Sequence, residues 1–156
     1  EMLVKNILAK NEDKVPFFSF VIDYEAIDKS MRLVASNLYA QGHETTNDEY
    51  NVFLRYLTEN KLTDLYEKYK FDLSAYTEPA LSFLKGYSST GRMAGKNPKL
   101  HYPAINVSYE AAGAYCEWLT EQYNNSSGRK FKKVKFRLPT LNEWQIAAAA
   151  IVNPVS

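Results

Sequence analysis

Three times in this chain a hydroxyl residue stands where a non-helical segment turns into an amphipathic run, at Thr46, Ser108 and Thr140. These turns constrain the fold more than any other feature. In Thr46-Asn47-Asp48-Glu49 the cap threonine is followed three residues on by a glutamate. That is a capping box: the hydroxyl takes one orphan backbone N–H and the carboxylate reaches back to another. Tyr50, Phe53, Leu54 and Leu57 then recur at helical spacing, predicting a helix over 46–59 with one buried face. Ser108 caps a second predicted helix, with Glu110 in the first turn where the helix dipole favours an acid. Ala112, Tyr115, Cys116 and Leu119 are its expected apolar stripe, and Asn124 to Gly128 the loop after it. Thr140 and Glu143 form another capping box, with Pro139 fixing the chain direction into it. Such a cap stabilises by about 1 kcal/mol. Trp144, Ala147, Ala148 and Ile151 predict a buried face, and Asn153-Pro154 ends the helix.

Between these landmarks the chain is less regular. Residues 1–14 read as a polar lead-in, and Phe17 to Ile22, after Pro16, as a strand. Asp23 to Ser30 suits a turn or a single helical turn. Arg32 to Ala40 reads as the next strand, with Gly42 allowing the turn that follows. Leu62, Leu65, Tyr66 and Tyr69 share one side of a short helix. Leu81, Phe83 and Leu84, after Glu78-Pro79, suggest another brief helix, and 86–98 is loop-like, rich in Gly, Ser, Asn and Pro. The basic run Arg129, Lys130, Lys132, Lys133, Lys135 alternates with Phe131, Val134 and Phe136, as an amphipathic strand with one solvated cationic face would. With 156 residues, 46% hydrophobic and 24% charged, the composition suits one core. A net charge of +1 gives no electrostatic attraction to nucleic acid or membrane. No apolar run reaches spanning length and no signal peptide is visible.

Few residues invite chemistry. The single cysteine, Cys116, has no disulfide partner within the chain and lies on a helical stripe, which fits a small buried hydrophobe better than a reactive thiol. His43 and His101 are far apart and neither has a partner at metal-ligand spacing. Ser88 to Lys96 resembles a phosphate loop only superficially: Gly91 and Gly95 are four apart and Asn97 follows Lys96. Asn106, Asn124 and Asn125 open formal glycosylation sequons, triplets common by chance.

Three blocks together resemble a known family. They are Glu44-Thr45-Thr46-Asn47-Asp48-Glu49-Tyr50 with Phe53-Leu54, then Asn106-Val107-Ser108-Tyr109 with Ala114-Tyr115-Cys116-Glu117-Trp118-Leu119, then Arg137-Leu138-Pro139-Thr140 with Glu143-Trp144. In this order they look like the sulfatase-modifying-factor family, the formylglycine-generating-enzyme domain. Its patterns run E-V-T-N-x-x-Y-x-x-F-L, P-V-x-N-V-S-W-x-x-A-x-x-Y-C-x-W-L and R-L-P-T-E-A-E-W-E-x-A-A. The resemblance covers about residues 32–151, with 61–100 unmatched, and makes residues 1–31 a lead-in with a first strand and 32–156 the N-terminal half of such a domain. Thr45, Tyr109, Leu141-Asn142 and Gln145 depart from the pattern.

The resemblance implies an α+β fold, an elaborated relative of the C-type lectin fold, with two long helices across a twisted sheet. It makes Glu44, Thr46, Asn47, Asn106, Ser108, Cys116, Trp118, Arg137, Pro139, Thr140, Glu143 and Trp144 a structural motif with no catalytic or metal role. The family's calcium sites, its G-N-V-W-E-W motif and its paired catalytic cysteines follow the third block and have no counterpart in this sequence, so no cofactor is expected on this chain, while calcium or copper belongs to a complete domain. The expected role is a non-catalytic structural or binding module of a cell-envelope protein, similar to gliding-motility and type IX secretion lipoproteins. Its partners would be protein, including a completing C-terminal segment. The alternatives are part of an active oxidase converting a sulfatase cysteine to formylglycine, and a lectin-like ligand-binding module.

Overall fold

The computed structural model describes residues 22–72 and 103–152. The features expected over 1–14, 17–21, 81–84 and 86–98, and His101, lie outside these residues. The described residues gather into two compact units, one holding 45–72 and 103–115, the other 23–44 and 116–152. Together they are an α+β chain of five helices and one two-stranded hairpin among the described residues: α1 (Tyr24–Ser30), β1 (Met31–Ala35), β2 (Leu38–Gln41), α2 (Asn47–Glu59), α3 (Thr63–Tyr69), α4 (Tyr109–Asn125) and α5 (Leu141–Val152).

The first unit is built on the predicted capping box. Thr46 Oγ1 accepts from the Glu49 N–H (3.3 Å), and Glu49 Oε2 accepts from the Thr46 N–H (2.7 Å). The helix so begun buries Tyr50, Phe53, Leu54 and Leu57, the expected face. Lys61 takes a left-handed conformation (φ 57°), and the Leu62 N–H reaches the Leu57 carbonyl (2.8 Å), turning the chain into α3. Tyr69 is buried there, and the Tyr50 hydroxyl donates to its carbonyl (2.6 Å). Burial pushes the Tyr50 hydroxyl well above the usual phenol range. Around it the Tyr50 ring meets Phe53, Phe71 and Tyr115 at centroid distances of 5.7, 5.2 and 5.6 Å. Such pairs add about 0.5–1.5 kcal/mol each beyond their buried area.

The second unit departs from expectation in three places. The segment Arg32 to Ala40 is a hairpin, not one strand: Ser36-Asn37 reverse it, with Asn37 left-handed (φ 56°) and a register slip between Leu33 and Ala35. Asparagine tolerates that conformation, and the Ser-Asn pair is the turn signal inside the span expected as one strand. At the hairpin's base the Gly42 N–H bonds the Ser30 carbonyl (2.8 Å), where a Cβ would stand 3.1 Å from that oxygen. The stripe of α4, which supplies residues to both units, is rotated from the predicted one. Ala111, Ala114, Tyr115, Trp118, Leu119 and Tyr123 are buried, whereas Ala112 and Cys116 are half-buried at its edge. The face predicted for α5 is only partly covered: Trp144 is 60% exposed, whereas Ala147 and Ala148 are half-buried. The helix is described as far as Val152, and Asn153-Pro154 lie outside the described residues.

Among the described residues the basic run joins no sheet, yet its backbone is held. The Val134 N–H donates to Asn124 Oδ1 and the Asn124 Nδ2 donates to the Val134 carbonyl, both at 2.9 Å. The Phe136 N–H donates to Thr120 Oγ1 (2.8 Å), whose hydroxyl passes on to the Cys116 carbonyl (2.7 Å). Thr120 and Asn124 are one helical step of four apart, about 6 Å along α4. Val134 and Phe136 are two residues apart, about 6.6 Å in an extended chain. The two repeats match, so a helix face acts as a neighbouring strand.

Further along, Asp28 accepts the Tyr123 hydroxyl on Oδ1 (2.5 Å) and the Lys130 N–H on Oδ2 (3.0 Å), while the Tyr123 oxygen accepts from the Phe131 N–H (3.2 Å). Replacing Asn124→Leu leaves both polar groups of Val134 unpaired and is expected to destabilise the fold by about 1–3 kcal/mol. Urea unfolding of the variant beside the wild type measures it.

Candidate functional site

The twelve motif residues divide between the two units, and most make defined backbone contacts. In the first unit Ala104 N–H bonds the Thr45 carbonyl (2.8 Å) and Thr46 bridges Pro103, so the first and second sequence blocks lie side by side. Asn47 is buried; its carbonyl accepts from Asn51 Nδ2 (2.7 Å), and its Oδ1 is buried with no hydrogen-bond partner among the described residues. Asn106 is left-handed (φ 57°) and clamps Asp72 from both sides. Its carbonyl takes the Asp72 N–H (3.0 Å), and its Nδ2 donates to the Asp72 carbonyl (3.0 Å). Ser108 caps α4 as predicted, its Oγ accepting from the Ala111 N–H (3.1 Å).

In the second unit Glu44 is exposed, its carbonyl 3.0 Å from His43 Nδ1. Trp118 is 2% exposed. Arg137 grips Glu143 with two parallel bonds, Nη1 to Oε2 (2.8 Å) and Nη2 to Oε1 (2.6 Å). Glu143 also takes the Thr140 N–H (2.8 Å), and its own N–H reaches Thr140 Oγ1 (3.3 Å), completing the second capping box. The guanidinium first, then the Thr140 N–H, hold the Glu143 carboxyl down at about 2. Pro139, before the cap, and Trp144, after it, are exposed.

Cys116 is a poor nucleophile. Burial, reinforced by the charge of Glu117, pushes its thiol up to about 11. A copper centre of the paired-thiolate kind needs two thiolates. The sequence has one cysteine, and its surroundings disfavour ionisation, so the residues present do not fit copper. Among the described residues no group of three or more His, Cys, Asp and Glu is placed to hold a metal, and no helix is long and apolar enough to cross a membrane. His43 is exposed; the loop around Ser88 to Lys96 lies outside the described residues.

Sequence reasoning missed Asp28, Thr120, Tyr123 and Asn124. The available signal was Thr120 and Asn124 at helical spacing on a face continuous with Tyr123. Asn124, expected in a loop and as a sequon, lies within α4, and its amide is spent on Val134.

Two outcomes follow from this chemistry. Glu143, lowered in the folded state, contributes stability that is present above its unfolded pKa of about 4.3 and is lost as pH falls toward 2. Carbon-detected titration is expected to find its midpoint near 2 in the wild type and closer to the ordinary glutamate value in Arg137→Ala. The native Cys116 is expected to alkylate with iodoacetamide at pH 8 far more slowly than in urea, followed by intact mass.

Comparison with curated proteins and with solved structures gave no match. A family model does match: the sulfatase-modifying factor enzyme 1-like domain, over residues 22–152. That span takes in all three sequence blocks, both capping boxes and the Asn106 clamp. The chain belongs to the sulfatase-modifying factor family.

Proposed function

We propose that this chain is a non-catalytic structural and binding module on the sulfatase-modifying-factor scaffold, related in plan to C-type lectins. One observation carries the reading. Most motif residues with polar side chains, Glu44 and Asn47 excepted, are spent on the framework: Thr46 and Glu49 on one cap, Ser108 on another, Asn106 on Asp72, and Arg137, Thr140 and Glu143 on a third. The departures from the family pattern fall largely on open surface instead. Tyr109 is 84% exposed, Leu141 is 73% exposed, and Asn142 and Gln145 are exposed; only Thr45 is half-buried. A scaffold kept while its surface varies suits binding better than a fixed reaction. On this reading no cofactor is held by this chain, and its partner is a protein. The resemblance to gliding-motility and type IX secretion members supports a place in the cell envelope.

The test is direct. Incubated with copper, dioxygen and a cysteine peptide of sulfatase type, the chain is expected to leave the peptide unchanged by mass spectrometry. Formylglycine produced by this chain would overturn the proposal in favour of the oxidase. The framework half is tested separately: Asn106→Ala is expected to cost about 1–3 kcal/mol, and Gln145→Ala to stay within about 0.5 kcal/mol, in chemical denaturation.

A further inference from the structure

The sequence holds three Asn-x-Ser triplets: Asn106-Val107-Ser108, Asn124-Asn125-Ser126 and Asn125-Ser126-Ser127. As sequence they are equivalent, because such a triplet is recognised by its carboxamide and by the hydroxyl two residues on. The fold separates them by what those groups already do. At the first, Asn106 Nδ2 donates to the Asp72 carbonyl (3.0 Å) and Ser108 Oγ accepts from the Ala111 N–H (3.1 Å). At the second, Asn124 Nδ2 donates to the Val134 carbonyl and Asn124 Oδ1 accepts from the Val134 N–H, both at 2.9 Å. Its hydroxyl is engaged too, Ser126 Oγ accepting from the Gly128 N–H (3.2 Å). A sugar on either asparagine would have to break these bonds.

The third triplet differs in both groups. Asn125 is the last residue of α4 and is exposed, and its carboxamide makes no hydrogen bond among the described residues. Ser127 is exposed as well, its hydroxyl equally unbonded there. One step along a helix is a rotation of about 100°. The clamp that draws Asn124 toward Val134 therefore leaves Asn125 on an open side. Past it the Ser126 N–H bonds the Tyr123 carbonyl (3.1 Å), and the chain leaves the helix through the turn at Ser127-Gly128. Helix ends fray at little cost, so this triplet can extend into an enzyme while Asn124 stays held. A bulky group on Asn125 would stand in solvent and displace no packed side chain.

We propose that Asn125 is the N-glycan acceptor of this chain, and that the fold closes Asn106 and Asn124 to the same chemistry. The co-substrate is a diphosphate-activated sugar, presented by a glycosyltransferase. Asn125 Nδ2 attacks the anomeric carbon and the new N–C bond forms. The bond from that carbon to the diphosphate oxygen breaks, its electron pair leaving with the diphosphate, and one amide proton passes to a base of the enzyme. The Ser127 hydroxyl is bound by the enzyme and is not consumed. None of the twelve motif residues takes part, so the acceptor is independent of any binding or oxidase role.

The test incubates the folded 156-residue chain with uridine diphosphate glucose and a soluble asparagine glycosyltransferase. The enzyme is one that modifies free peptides of all three triplets, the overlapping pair presented singly in Asn124→Gln and Asn125→Gln peptides. Intact mass is expected to show one hexose, and peptide mapping to place it on Asn125. Asn106 and Asn124 of the folded chain are expected to react about tenfold or more slowly, because each has hydrogen bonds to break first. Asn125→Gln and Ser127→Ala change exposed side chains that the fold does not use. Both are expected to fold as the wild type does, confirmed by circular dichroism, and to take no hexose, while Ser127→Thr takes it as the wild type does. The glycosylated chain is expected to keep the wild-type urea midpoint. The proposal is overturned if Asn125 stays unmodified in the folded chain, or if Asn106 or Asn124 there reacts as fast as Asn125. It is equally overturned if Ser127→Ala accepts the sugar as well as the wild type.

Discussion

The Asp28–Tyr123 hydrogen bond anchors the second unit. A buried phenol must place its hydroxyl, and here it donates to a carboxylate and accepts from a backbone N–H in the same step. Burial and the Asp28 bond both raise the Tyr123 hydroxyl above its ordinary range, keeping it a donor at any working pH. The other carboxylate oxygen takes the Lys130 N–H, so one pair fixes α1, α4 and the start of the basic segment. Around it the Tyr123 ring packs edge-on against Tyr24 and Phe136, at 5.9 and 5.6 Å.

Replacing a strand by a row of helix side chains has consequences. A second strand would pair every alternate residue and leave its own far edge to be managed. Thr120 and Asn124 do the same work on one edge with two side chains. Their hold ends at Phe136, opposite Thr120, and the chain then turns at Pro139 into the next cap. The Arg137–Glu143 pair locks that turn, so strap and cap are successive parts of one device. The first unit solves a similar problem with Asn106, whose clamp on Asp72 uses a side-chain amide as a substitute peptide group.

How much of this was legible in the sequence follows from the range of each interaction. Local signals were read well: both capping boxes, Ser108 as a cap, the buried face of α2 and the side of α3. Each depends on residues within four positions, where spacing determines contact. The alternation of the basic run was likewise legible, although not what held it. Tertiary terms were not. The stripe of α4 turned toward Trp118 because its setting is chosen by what packs on it, which periodicity alone leaves undecided between adjacent faces. Trp144 lies in the open because a sequence pattern states which face is apolar, not what covers it. Asp28 and Tyr123 stand 95 positions apart, beyond any local rule. The family was legible because its three blocks are capping and clamping residues at fixed spacing; the chemistry of the site was not, because those residues build the frame.

Side chains of α4 replace a strand and hold the basic segment. Native-state hydrogen exchange at single-residue resolution tests it most directly. The Val134 and Phe136 amides are predicted to be protected nearly as well as the buried face of α4, with Lys135 between them exchanging close to the rate of an unstructured chain. Uniformly fast exchange from 133 to 136 would contradict the account, as would protection of Lys135 equal to its neighbours.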